Sequence, residues 1–151
     1  MAKKPDWLFQ QAAGLPYFSD QGEVRVVLVT SRSSKKWIFP KGVIDPGETR
    51  ESTAVKEAWE EAGVQGEVTG DPLGCYEQAK WGGVATIEVL PLGCWTLAPT
   101  WDEDATRERQ CVSVDEARAL VGEPLERIVS RLQERVTSGE LAIRELRFPA
   151  S

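Results

Sequence analysis

Thr49 to Ala62 reads TRESTAVKEAWEEA, and this stretch decides the fold. Thr49 is a residue type that caps a helix N-terminus, and Gly63 is one that ends a helix in the left-handed conformation. On a helical wheel at about 100° per residue, Glu57, Glu60 and Glu61 share an arc of roughly 100°. Ala54, Val55, Ala58, Trp59 and Ala62 fall on the opposite side, which predicts an apolar face against a core and an acidic face away from it. Like charges three and four residues apart oppose helix formation by about 0.2–0.5 kcal/mol per pair. Two of the three acids also sit near the negative end of the helix dipole. Such a stripe is by itself more commonly an ordinary solvated face, and it also suits a hard divalent cation held among the carboxylates.

Outward from the helix, Lys41 to Glu48 (KGVIDPGE) carries two glycines and a proline and predicts a loop, one able to bring a backbone carbonyl beside the acidic face. Before it, Glu23 to Thr30 (EVRVVLVT) predicts a buried strand, and Trp37-Ile38-Phe39 a short strand stopped by Pro40. After it, Val64–Thr69 and Leu73–Glu77 predict strands, as do Val84–Leu92 and Gly93–Leu97 with a break at Pro91, and Arg109–Val114. Ser113 and Glu116 form a capping-box pattern ahead of a helix through Leu120. Pro124 to Val136 is amphipathic, with Leu125, Ile128, Val129, Leu132 and Val136 on one stripe. Strands around one central helix and a terminal helix imply a mixed sheet between helices.

The whole chain has 151 residues, a length that fits a single domain spanning 1–151. Its net charge of −6 argues against coating a nucleic acid polymer. An acidic protein that handles phosphates needs a divalent cation or clustered Arg and Lys. Cys75, Cys94 and Cys111 are odd in number and widely spaced, which predicts free thiols. Histidine is absent, so acid–base chemistry must come from carboxylates, Lys, Tyr, Cys or metal-bound water. MAKKPDWLFQQ lacks the apolar core of a signal peptide, and no run approaches a membrane span, so the expectation is a cytoplasmic protein, monomeric or homodimeric.

Gly42 to Val64 as a whole, GVIDPGETRESTAVKEAWEEAGV, resembles the Nudix box GX5EX7REUXEEXGU, in which U is apolar. Gly42, Glu48, Glu57, Glu60, Glu61 and Gly63 take its fixed positions, and Ala58 and Val64 its U positions. Lys56 stands where the box has Arg, which keeps the charge and loses the planar fork. The resemblance implies an α/β fold, an α/β/α sandwich with a mixed sheet. It implies hydrolysis of a small-molecule phosphoanhydride, with Mg²⁺ or Mn²⁺ bound by Glu57, Glu60, Glu61 and the Gly42 carbonyl. It makes Glu48, Lys56 and Gly63 structural members of the motif, and Glu60 or Glu61 the candidate base. WIFPKG (37–42) and WDED…RER (101–109) are similar to segments of the diphosphoinositol-polyphosphate and diadenosine-polyphosphate branch, with Cys111 where that branch has an aromatic residue.

Arg107 and Arg109, two apart on a predicted strand, could clamp a phosphate or pair with Asp102 to Asp104. Lys41 and Arg25, with Arg32, Lys35 and Lys36, could add a positive rim. Trp81, in AKWGG, is the candidate for stacking on a nucleobase, whereas Trp59 and Trp37 are expected to pack. The expected activity is that of a Mg²⁺-dependent pyrophosphohydrolase; the alternative is a non-catalytic nucleotide-sensing module of the same fold.

Overall fold

The structure is a computed structural model and describes residues 4–147. After a single 3₁₀ turn at Asp6–Phe9, the strands are β1 (Gln10–Asp20), β2 (Glu23–Thr30), β3 (Trp37–Ile38), β4 (Lys41–Val43), β5 (Val64–Val68), β6 (Gly74–Lys80), β7 (Gly83–Leu97) and β8 (Arg109–Ser113). The helices are α1 (Arg50–Ala62), α2 (Val114–Val121) and α3 (Leu125–Thr137). The strands form one mixed sheet with the path β3-β2-β1-β7-β5. From it β4 pairs with β1, β6 with β7 and β8 with β2; among these strand pairs of the described residues, β1–β7 is the parallel one.

Alternation along β2 assigns the two layers. Val26 and Leu28 face a core built with Ala117 of α2 and Ile128, Val129 and Leu132 of α3. Val27 and Val29 face a second core with Ala58 and Ala62 of α1 and with Leu92 and Cys94 of β7. Successive strand residues point to opposite faces, so the sheet lies between α1 on one side and α2 and α3 on the other. This is the α/β/α sandwich that the motif implied.

Three local departures from the sequence reading position the site. Gln10–Asp20, which shows no clear alternation, is the central strand. Its Gly14 packs tightly on Leu92 of β7, since a Cβ there would lie 3.2 Å from Leu92 Cδ2. Lys41–Val43 is not loop but a short strand registered on Gln11–Ala13. The proline at 91 does not break β7. It falls where the strand changes partners, from β6 through Val89 to β5 from Leu92, so its missing N–H interrupts neither ladder.

The buried arc of α1 also differs from expectation. Thr53, Ala54, Ala58, Glu61 and Ala62 are buried, while Val55 and Trp59 are exposed at 36% and 43%. Trp59 is therefore not core. Small residues let the helix lie close on β1, and the contact is centred between the alanines and the acids, so the acidic side turns toward the protein.

Candidate active site

A cleft of about 840 Å³ opens where β1 exchanges β4, paired at Gln11–Ala13, for β2, paired from Tyr17 onward. Its walls include Gln11, Lys41, Glu57, Glu61, Tyr76 and Arg107. Helix α1 delivers the acids. The Thr49 hydroxyl accepts from the Ser52 amide and the Ser52 hydroxyl accepts from the Thr49 amide, a reciprocal box that starts the helix. Glu48 accepts from the Ser52 hydroxyl at 3.4 Å, which ties the loop to the first turn. Gly63, at φ 65°, ends the helix and sends its N–H back to the Ala58 and Trp59 carbonyls.

Glu61 is 4% exposed. Its Oε1 accepts the Lys41 backbone N–H at 3.2 Å, and Oε2 lies 3.6 Å from Arg107 Nη2. Burial raises its pKa to about 8 against the opposing pull of Arg107, with Glu57 adding to the rise. Burial also raises Glu57 to about 7, aided by the charge of Glu60. Lys41 reaches Gln11 Oε1 at 3.4 Å, and burial, then the charge of Lys80, lowers its ammonium to about 8.

The fit of a divalent cation rests on Glu57. Its Oε2 is buried without a hydrogen-bond partner among the described residues, and a Cβ on Gly42 would lie 2.0 Å from its Oε1. A carboxylate oxygen left bare in a protein interior is costly, and a cation is one of the few things that satisfies it. Glu57, Glu60 and Glu61 offer only hard oxygen donors, as Mg²⁺ and Mn²⁺ prefer. Among the described residues no three acids or cysteines already converge into an ion cage, so water and substrate oxygens would have to complete the shell. The residues fit the group on these terms.

The remaining residues divide. Arg107 borders the cleft but is engaged by protein: it donates to Glu103 at 2.8 Å and to the Thr30 carbonyl at 3.0 Å, besides facing Glu61. The expected pairing with the 102–104 acids thus holds for Glu103. Arg109 does not join Arg107. Its Nη1 donates to the Ala62 and Ala98 carbonyls, both at 2.8 Å, and its guanidinium stacks 4.2 Å from the Trp101 ring centroid. It caps the C-terminal end of α1 rather than clamping a phosphate. Arg25 lies away from the cleft, paired with Asp20 at 3.2 Å in a separate concavity with Phe18 and Cys111. Lys56 pairs with Asp45 at 3.8 Å.

Trp81 is 40% exposed on the cleft wall, braced edge-on by Phe9 at 5.9 Å, with Lys80 4.8 Å from its ring. Gln11 was missed by sequence reasoning, because a glutamine beside a second glutamine carries no motif. It meets Lys41 diagonally across the β1–β4 pair, where Gln11 lies opposite Val43 and Lys41 opposite Ala13.

An α/β/α sandwich with a cleft of buried carboxylates and cations defines an enzyme of phosphate chemistry. A family model described as NUDIX domain matches residues 8–132. Diphosphoinositol polyphosphate phosphohydrolase 3-alpha of Mus musculus is 30% identical over 115 residues, 75% of this chain and 69% of that protein. Nudix hydrolase 13, mitochondrial, of Arabidopsis thaliana is 34% identical over 110 residues, 66% of this chain and 54% of that one. Among solved structures, a C. elegans Ap4A hydrolase binary complex superposes with a TM-score of 0.73 at 16% identity, over 86% of this chain and 98% of that one, a likeness of fold. The chain belongs to the Nudix hydrolase family. It is a hydrolase of phosphorus-containing acid anhydrides, in a family whose members generally use divalent metal ions. No helix among the described residues is long and apolar enough to cross a membrane.

Proposed function

We propose that the chain is a Mg²⁺- or Mn²⁺-dependent pyrophosphohydrolase whose substrate is a polyphosphorylated small molecule, with a diadenosine polyphosphate as the reading its geometry favours. The observation that carries the metal role is the buried, unpartnered Oε2 of Glu57 beside Gly42. Glu57, Glu60, Glu61 and the Gly42 carbonyl would hold the ion. When bound, such an ion lowers the pKa of water and neutralises the departing phosphate. Water attacks phosphorus, the P–O bond of the anhydride breaks, and the departing phosphate takes the electron pair. Of the two candidate bases, Glu61 suits the role better than Glu60. Glu61 lines the cleft and Glu60 does not. Lys41 and Arg107 add positive charge for the phosphate chain.

Trp81 favours the nucleotide reading. It leaves an exposed indole on the cleft, a flat apolar surface that suits a nucleobase and has little to offer an inositol ring crowded with phosphates. A diphosphoinositol polyphosphate is the second reading, favoured by the names of the mouse relatives. A Mg²⁺ panel of diadenosine polyphosphates, diphosphoinositol phosphates, nucleoside triphosphates and ADP-ribose separates them. Turnover of diadenosine tetraphosphate that Trp81→Ala impairs through KM supports the first reading. Turnover confined to diphosphoinositol phosphates, indifferent to Trp81, replaces it with the second. No hydrolysis of any member refutes both.

A further inference from the structure

Gln11 and Tyr76 stand on either side of Ile87 in one row across the sheet, Gln11 through the parallel β1–β7 pair and Tyr76 through the antiparallel β6–β7 pair. Residues in one row share a face, and both side chains line the cleft beside Lys41, Glu57 and Glu61. Gln11 is 2% exposed, and its amide nitrogen has no hydrogen-bond partner among the described residues. The orientation of the amide follows from Lys41: its ammonium donates to Oε1, and a flipped carboxamide would set donor against donor. Tyr76 is 9% exposed. Its phenol is protonated at neutral pH and is a hydrogen-bond donor. The Gln11 amide nitrogen is thus a buried donor that the described residues leave unmatched, while the Lys41 ammonium is committed to Oε1 of the same side chain and Tyr76 stands on the same cleft wall. A buried donor without an acceptor is unfavourable, and its retention calls for an acceptor from outside the fold.

We propose that Gln11 Nε2 and Tyr76 Oη bind substrate, each donating to a non-bridging oxygen of the phosphate chain alongside the Lys41 ammonium. This rests on the reading that a phosphoanhydride occupies the cleft. It adds a neutral binding row to the charged one, and neither residue carries any motif in the sequence. Neutral donors satisfy phosphoryl oxygens without adding positive charge next to Lys41.

The test uses Gln11→Met, which keeps volume and removes the amide donor together with the oxygen that accepts from Lys41, and Tyr76→Phe, which removes only the hydroxyl. Kinetics are read on the best-hydrolysed member of the Mg²⁺ panel, and binding is read by calorimetry with Mg²⁺ and methylenediphosphonate. Each variant is expected to raise KM and the diphosphonate Kd by about fivefold to tenfold, the loss of one neutral hydrogen bond. A merely structural glutamine or tyrosine would lower Tm and leave KM alone. KM and Kd within twofold of wild type in both variants overturn the inference while leaving the pyrophosphohydrolase reading intact. A wild-type protein that neither hydrolyses the panel nor binds the diphosphonate overturns that reading, and this inference with it.

Discussion

Gly42 and Glu57 are packed so closely that the smallest side chain at 42 would occupy the space of a carboxylate: its Cβ would sit 2.0 Å from Glu57 Oε1 and 2.5 Å from Cδ. The glycine is required by this approach and not by its backbone angles, since its φ is not in the left-handed region. Gly42→Ala must therefore push Glu57 out of place. A displacement of about 1 Å at a catalytic group can cost on the order of 100-fold in rate. The expected outcome is a fall in turnover of at least about that size, with weaker Mn²⁺ binding by electron paramagnetic resonance. Wild-type turnover in Gly42→Ala would mean that Glu57 is free to move and its position unimportant.

Glu57 and Glu61 also predict a pH-dependent stability for the metal-free protein. Both are held above the ordinary carboxylate value of 4.5, at about 7 and about 8, chiefly by burial. The folded state then binds more protons than the unfolded chain between pH 4.5 and 8, so stability falls as pH rises through that window. Below pH 4.5 both states are protonated and the contribution is fully present; above about pH 8 it is gone. Without metal, Tm should fall from pH 5 to pH 8.5, and the Glu57→Gln/Glu61→Gln double variant should show a flatter slope. Equal slopes would remove these two groups as the cause.

At pH 8, Glu61→Gln separates stability from function. The amide removes a charge that burial disfavours, so the metal-free Tm should equal or exceed wild type. Turnover with Mg²⁺ should drop by orders of magnitude, because a glutamine neither accepts a proton nor holds a cation well. Thermal melts and steady-state rates on one preparation test both halves. Undiminished turnover would exclude Glu61 from the chemistry.

The helix that carries these acids was legible in sequence because its signals are local: the Thr49 cap, the Gly63 stop and three glutamates at helical spacing. The sandwich followed from the motif. What stayed hidden depends on contacts distant in sequence. Gln10–Asp20 is covered on both faces and interrupted by Gly14 and Pro16, so the central strand shows no period of two. Trp59 was assigned to the core because apolar character was taken to decide the buried face. Packing decided it instead, through the small residues Ala54, Ala58 and Ala62 against β1 and β7. Charge read from sequence has no direction, which is why Arg25 and Arg109 were grouped with Lys41 and Arg107.

Arg109 supplies the sharpest contrast with a phosphate-clamp role. Its guanidinium joins the last carbonyl of α1 to Ala98 and covers Trp101, and a Cβ on Gly63 would lie 3.0 Å from its Nη1. Three features thus converge on the helix end that bears Glu60 and Glu61: a left-handed glycine, a stacked arginine and the Glu103 N–H, which donates to the Glu60 carbonyl at 3.1 Å. Helix C-termini leave carbonyls without partners, and a cation there is favourable on both hydrogen-bond and dipole grounds. Arg109→Ala removes two charge-assisted hydrogen bonds and the stacking contact, and should destabilise the protein by about 2–4 kcal/mol. Arg109→Lys keeps the charge without the fork that reaches both carbonyls, and should recover only part of the loss. KM should stay near wild type in the folded fraction of each variant at low temperature, since the side chain does not line the cleft. Denaturant melts paired with KM values on the same samples decide the matter. A KM increase at unchanged stability would return Arg109 to the substrate site.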